Sequence, residues 1–311
     1  MSTHSTTLPI SSSTRATHAL AKSLRPHQWV KNALLFGGLI CSQQMFDPLA
    51  VAFSVQAFLL FSLAASSIYL FNDLNDLEED RLHPTKKHRP LAAGQISSGA
   101  VGTTMLCLAT ASLVGAALIN ARFLTVVVLY LLMNVAYSVR LKHVVILDVM
   151  IIALGFVLRA IAGAFAVGVV ASPWLVLCTL TLALVVGFGK RRNELCVLQE
   201  ESSNHRSCLE GYSTHFLDLM MTISAGAAVV TYALYTMSDL TAERFGSRAL
   251  VLTTPFVIYG IFRYLYLIRM KAEGGDPSRL FVKDLPILIN GVLWLLACAF
   301  CVYGPTEWMP W

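Results

Sequence analysis

Asp73, Asp76 and Asp80 stand at i, i+3 and i+7 in the stretch FNDLNDLEEDRLHPTKKHRPLAAG, residues 71–94. If the apolar segment before them continues as a helix past Phe71, all three carboxylates project from one face over two turns. Three like charges on one face repel, so a cation has to compensate them. Hard oxygen ligands in this grouping suit Mg2+, which takes one or two carboxylates and fills its remaining positions with water and substrate phosphates. Asn72 adds a neutral oxygen or an amide donor beside them. The plainer reading is a solvated acidic helix end balanced by Arg81, Lys86, Lys87 and Arg89; the regular spacing counts against it.

The elements that carry these residues are set by composition. Hydrophobic residues make up 56% of the 311 and charged residues 13%, with a mean hydropathy of +0.65. A soluble domain cannot bury that much apolar surface, so the chain reads as a polytopic, all-α membrane protein. Nine segments are candidates to cross a bilayer as helices: about 33–46, 50–71, 98–119, 123–139, 146–167, 172–189, 216–237, 249–268 and 285–304. Residues 1–22 lack the apolar core of a cleavable signal peptide and read as a disordered arm. Residues 23–311 read as one membrane domain, entered by an interfacial segment around Pro26–Trp29.

Of the 23 Lys and Arg residues, 19 fall in the N-terminal arm and around the loops after spans 2, 4, 6 and 8. The positive-inside bias then puts the N-terminus and those loops in the cytoplasm, with the C-terminus across the cell membrane. The same bias accounts for most of the net charge of +5, so no nucleic-acid partner is implied. Seven cysteines, an odd number spread over spans and one loop, suit small apolar packing.

Asp148 and Arg159 lie eleven residues apart in span 5. That separation is about 20° of helical rotation and roughly 16 Å of rise, so they share a face. An arginine at that depth costs at least about 2.5–3.5 kcal/mol if it meets lipid. Arg159 therefore faces the bundle interior, either lining a cavity and meeting an anion or forming a structural pair with an acid on another helix. Tyr137 and Tyr212 are able to donate to phosphate oxygens, although interfacial tyrosines are commonly belt residues.

The pattern N-D-x-x-D-x-x-x-D from Asn72 to Asp80, with the DRLHPTKKHRPLAAG at its end, resembles the first aspartate motif of the UbiA superfamily of intramembrane prenyltransferases. The resemblance implies a nine-helix bundle with a polar cavity open to the cytoplasm, in which Asp73, Asp76 and Asp80 hold Mg2+ on a diphosphate. LRPHQWVKN at 24–32, AYSVRLKHVVILDV at 136–149 and GFVLRAIAGAFA at 155–166 are similar to one branch of that superfamily. Its members join the phosphoribosyl group of phosphoribosyl pyrophosphate to a polyprenyl (decaprenyl-type) phosphate.

Aromatic prenyltransferases usually carry a second D-x-x-x-D after span 6. Here that loop has Glu194, Glu200, Glu201 and Glu210 but no aspartate before Asp218. What the resemblance implies is thus a transferase with phosphoribosyl pyrophosphate and a polyprenyl phosphate lipid as partners, in the bilayer, with self-association left open. Asp73, Asp76, Asp148 and Arg159 are its candidate catalytic residues. Lys31, Asn72, Lys86, Arg89, Tyr137, Lys142, Lys190, Arg191, Glu194 and Tyr212 are its candidate substrate-binding residues. Two alternatives stand beside it: a prenyltransferase of the same superfamily with a prenyl diphosphate donor and an aromatic acceptor, and a transporter of an anionic lipid or metabolite. A transporter has no need of three metal-spaced carboxylates at one helix end.

Overall fold

The computed structural model describes residues 12–200, 209–270, 280 and 283–304, and these are helical or irregular with no strand among them. Among the described residues, eight helices are long and apolar enough to cross a membrane: α3 (Pro48–Asn75), α5 (Ser98–Ile119), α6 (Ala121–Val139), α7 (Leu147–Ala166), α8 (Pro173–Glu200, apolar to Cys196), α9 (Thr214–Met237), the run Ala249–Met270 that follows the short α10 (Asp239–Phe245) and ends in α11 (Thr254–Met270), and α12 (Leu285–Tyr303). Their starts follow from the sequence. Asp47 accepts from Leu49 N, with Pro48 as the first helical residue, and Ser97, Ser213 and Asp284 cap α5, α9 and α12 through the backbone N–H three residues on. Exposed Leu118, Leu132, Phe262 and Leu296 give the apolar outer surface that lipid requires.

Two expectations change at the N-terminal end. Residues 12–23 are not an arm but a helix, α1 (Ser12–Ser23), whose Ala19 packs into a core with Leu70, Leu91, Ile96 and Val101. Its Ser/Thr-rich composition hides the apolar spacing of Ala16, Ala19, Leu20 and Leu24; residues 1–11 lie outside the described set. The segment expected as a span at 33–46 is a 3-10 helix, Pro26–Leu35, joined to a six-residue α2 (Phe36–Cys41). The tighter winding has a local cause. Trp29 Nε1 donates to Ser66 Oγ and Asn32 Nδ2 to Ser62 Oγ, both at 3.0 Å. Three residues of 3-10 helix and four of α-helix both rise about 6 Å, so the two ladders stay in register only with this winding.

The chain forms two compact units, residues 1–33 with 55–139, and residues 34–54 with 140–311. In the first, Ser112 Oγ donates to Leu60 O at 2.8 Å and the Phe61 and Tyr130 rings lie 4.6 Å apart. In the second, the core gathers Val149, Val185, Phe188, Leu217, Met221 and Leu267. Here α2 lies backbone to backbone on α7: a Cβ on Gly38 would sit 2.6 Å from Ala164 N, and one on Gly163 would overlap the Leu35 carbonyl.

Candidate active site

In the first unit the acidic motif closes on itself. Helix α3 ends at Asn75, Asp76 leaves helical geometry (φ −99°, ψ 14°), and α4 (Leu77–Leu82) follows. The bonds Asp76 N to Asn72 O (2.9 Å) and Asp80 N to Asp76 O (2.8 Å) survive, so this is a kink and not a stop. The three carboxylates therefore do not form the straight stripe that their spacing predicts. Asp73 and Asp80 are buried, at 3% and 1% exposure, while Asp76 is half-buried and accepts from Asn75 Nδ2 at 2.8 Å.

Cations of the same unit surround the buried pair. One nitrogen of Arg89 bridges them, 3.2 Å from Asp73 Oδ1 and 2.5 Å from Asp80 Oδ2. Arg25 donates to the same Asp73 oxygen, and Lys86 Nζ lies 3.7 Å from Asp80 Oδ1. That last oxygen is buried and accepts no hydrogen bond among the described residues, a costly arrangement unless something else fills it. Asn72 turns its Oδ1 to the Ser138 hydroxyl at the end of α6, and Tyr137, half-buried, precedes that serine in the chain. Lys31 is half-buried on the 3-10 helix.

Among the described residues, no group of three or more His, Cys, Asp or Glu side chains is placed to hold a metal ion. The donor set nonetheless fits Mg2+ as two buried carboxylates would. An ion bound there draws the rest of its shell from water and phosphate, and Asp80 Oδ1 is an acceptor already open to it.

The second unit brings five more candidates together. Asp148, fully buried, accepts from Arg191 Nε at 2.6 Å and from the Tyr212 hydroxyl at 2.7 Å. Arg191 Nη1 also meets Glu194 Oε2 at 2.5 Å, and Lys190 Nζ lies 3.9 Å from Glu194 Oε1. The Tyr212 oxygen accepts from Ile146 N at 2.6 Å. Ile146 holds φ at +70°, a left-handed backbone that a β-branched residue rarely adopts. The network thus fixes the turn ahead of α7, in which Lys142 is buried at 7% exposure. Arg159 is buried on α7 as well, but it donates to Gly155 O at 2.8 Å and lies 5.5 Å over the Phe156 ring. Glu201, and the side chains of Glu200 and Glu210, lie outside the described residues.

Arg25 belongs to the site although motif and spacing do not single it out. A signal existed: Ser62, Ser66, Tyr69 and Asp73 make a polar stripe along one face of α3, and the 24–32 segment lies on it. Leu24 O accepts from Ser66 Oγ at 2.9 Å, and the Arg25 guanidinium sits 5.1 Å over the Tyr69 ring on its way to Asp73.

Comparison with known proteins adds three findings. Residues 33–285 match the model of the UbiA prenyltransferase family. The chain is 36% identical over 295 residues to a decaprenyl-phosphate phosphoribosyltransferase of Mycolicibacterium smegmatis, covering 91% of this chain and 92% of that one. A protein of the same name from Mycobacterium tuberculosis is 34% identical, over 89% and 91%. In fold, the chain is similar to a UbiA homologue from Archaeoglobus fulgidus bound to GPP and Mg2+, with a TM-score of 0.70 at 18% identity, covering 91% of this chain and 99% of that one.

Proposed function

The chain belongs to the UbiA prenyltransferase family, and from that we propose that it moves the 5-phosphoribosyl group of phosphoribosyl pyrophosphate onto a polyprenyl phosphate, releasing pyrophosphate. It is a multi-pass membrane enzyme. The observation that carries the reading is the pair Asp73 and Asp80, buried, bridged by one nitrogen of Arg89, with an open carboxylate oxygen on Asp80 facing Lys86. Such a pair suits a metal-bound polyphosphate. Similarity along nearly the whole chain to phosphoribosyltransferases favours that donor over a prenyl diphosphate.

In this reading Asp73 and Asp80 would hold Mg2+, with the half-buried Asp76 at the kink between them. When bound, the ion supplies positive charge to the pyrophosphate as it leaves the ribosyl carbon. The chain's own residues do the rest. Lys86 and Arg89 hold pyrophosphate oxygens by charge-assisted hydrogen bonds, while Lys31, Asn72 and Tyr137 orient the donor. In the second unit Lys142 and Lys190 contact phosphate; Asp148, Glu194, Tyr212 and Arg191 hold the turn that carries Lys142; and Arg159 stabilises α7 from within. The bond from the ribosyl carbon to pyrophosphate breaks with its electron pair going to the leaving group, and an acceptor phosphate oxygen takes its place.

The test is direct. Purified protein, labelled phosphoribosyl pyrophosphate, Mg2+ and a polyprenyl phosphate should yield a lipid-soluble labelled product. Lys142→Ala and Lys190→Ala should each weaken donor binding by about ten- to a hundredfold, as the loss of one charged contact to phosphate would. If a prenyl diphosphate is turned over instead and neither lysine matters, the aromatic prenyltransferase reading replaces this one.

We place the N-terminus and the acidic motif on the cytoplasmic side, with 18 of the 23 Lys and Arg once Lys31 is counted within the N-terminal crossing. The segment Pro26–Cys41 serves as a ninth crossing. Ten residues of 3-10 helix and six of α-helix rise about 29 Å, close to the roughly 30 Å hydrocarbon layer. The C-terminus then lies outside. A reporter enzyme active only outside the cytoplasm should be active when fused after Tyr303; an inactive fusion in a functional protein would reduce the crossings to eight.

A further inference from the structure

We propose that Arg25 is a donor-binding residue that stands in for the metal: it occupies Asp73 when the site is empty and passes to the pyrophosphate when the metal arrives. This rests on the proposed function, in which Asp73 takes part in holding a divalent ion.

Charge and geometry select Arg25. Asp73 Oδ1 receives two guanidinium groups, those of Arg25 and Arg89. A dication reaching that oxygen would be a third positive group on one buried carboxylate, so one guanidinium has to leave. Arg89 has a second acid, Asp80, 2.5 Å away, and stays bridged to it. Among the described residues, the acid that Arg25 pairs with is Asp73.

Release does not send Arg25 away from the site. Its guanidinium rests against the Tyr69 ring, and its backbone is fastened on both sides. Leu24 O accepts from Ser66 Oγ at 2.9 Å, and Trp29 is tied to the same serine. Arg25 itself holds φ at +52° ahead of Pro26, the left-handed region that a non-glycine residue enters only when its surroundings enforce it. A side chain aimed at Asp73 by an enforced backbone, 23% exposed and so open on one side, is placed to contact the anion that accompanies the ion. Guanidinium matches a phosphate face through two parallel N–H donors. The aromatic ring beneath it keeps the group in place once Asp73 is given up.

Two bindings should therefore move in opposite directions in Arg25→Gln, and neither readout is turnover. Mn2+ binding to the protein without any anion, followed by electron paramagnetic resonance, should tighten about three- to tenfold, since the competing cation is gone. Inorganic pyrophosphate binding in saturating Mg2+ should weaken about ten- to a hundredfold. Arg25→Lys keeps the charge and carries the test if the glutamine variant does not fold. It should bind metal as wild type does but pyrophosphate more weakly, because an ammonium lacks the paired donors. Asp73→Asn separates the two claims. If it binds Mn2+ as wild type does, the metal assignment itself fails. If it loses Mn2+ while both Arg25 variants match wild type in metal and in pyrophosphate, the metal assignment stands and the donor-binding role of Arg25 is overturned. Weaker metal binding in Arg25→Gln with pyrophosphate unchanged would overturn it as well, since Arg25 would then only shape the carboxylate.

Discussion

Asp73→Asn and Asp80→Asn are each expected to lower turnover by about a hundred- to a thousandfold or more, the usual scale for removing one group that stabilises developing charge. Both carboxylates are buried, and Asn keeps their shape while deleting the charge. The fold should persist, because Arg89 retains the other acid in each variant. Asp76→Asn should cost less, since Asp76 is half-buried and bonded to Asn75 beside it. The checks are turnover with phosphoribosyl pyrophosphate and polyprenyl phosphate, alongside thermal unfolding in detergent. Near-normal turnover in both variants would sink the assignment of the acidic pair.

The second large effect falls on stability. Asp148 is fully buried with both oxygens occupied, one by Arg191 and one by Tyr212. Asp148→Ala leaves the buried Arg191 guanidinium to Glu194 and takes the acceptor away from the Tyr212 hydroxyl. Breaking one side of a buried pair costs about 3–5 kcal/mol, a drop of several degrees or more in Tm. Tyr212→Phe should cost about 1–3 kcal/mol, the scale for a buried polar group, here the Asp148 oxygen, left without its partner. If Asp148→Ala unfolds at the wild-type temperature yet turns nothing over, Asp148 acts in the chemistry and not in holding the turn.

What the sequence makes legible follows from the range over which its patterns act. Apolar runs of twenty residues announce helices because the cost of exposing them to water is additive along the run. Asp73 and Asp80 announce themselves by spacing, seven positions apart. The kink at Asp76 is local too, but it depends on how Arg89, nine residues past Asp80, draws the two acids together. Periodicity carries no trace of that. Arg25 and Asp73 are 48 positions apart, Tyr212 and Asp148 are 64, and such pairings are made by packing alone. The 3-10 winding of Pro26–Leu35 is a compromise between two ladders on separate elements. Only the polar stripe on α3 hints that a second ladder exists. The left-handed Ile146 breaks its own residue preference, which is why no propensity reading would place a turn pinned by Tyr212 there.

The contact of α2 on α7 bears on how the protein tolerates change. At Gly163 the space for a side chain is taken by the main chain of Leu35, and at Gly38 by that of Ala164. Backbone cannot rotate out of the way as a leucine tip can, so the smallest replacement, alanine, already forces two helices apart. In a saturation scan these glycines would stand out as sharply as Asp73 does. Their intolerance would report only how closely two stretches of polypeptide approach, and nothing about what the protein binds.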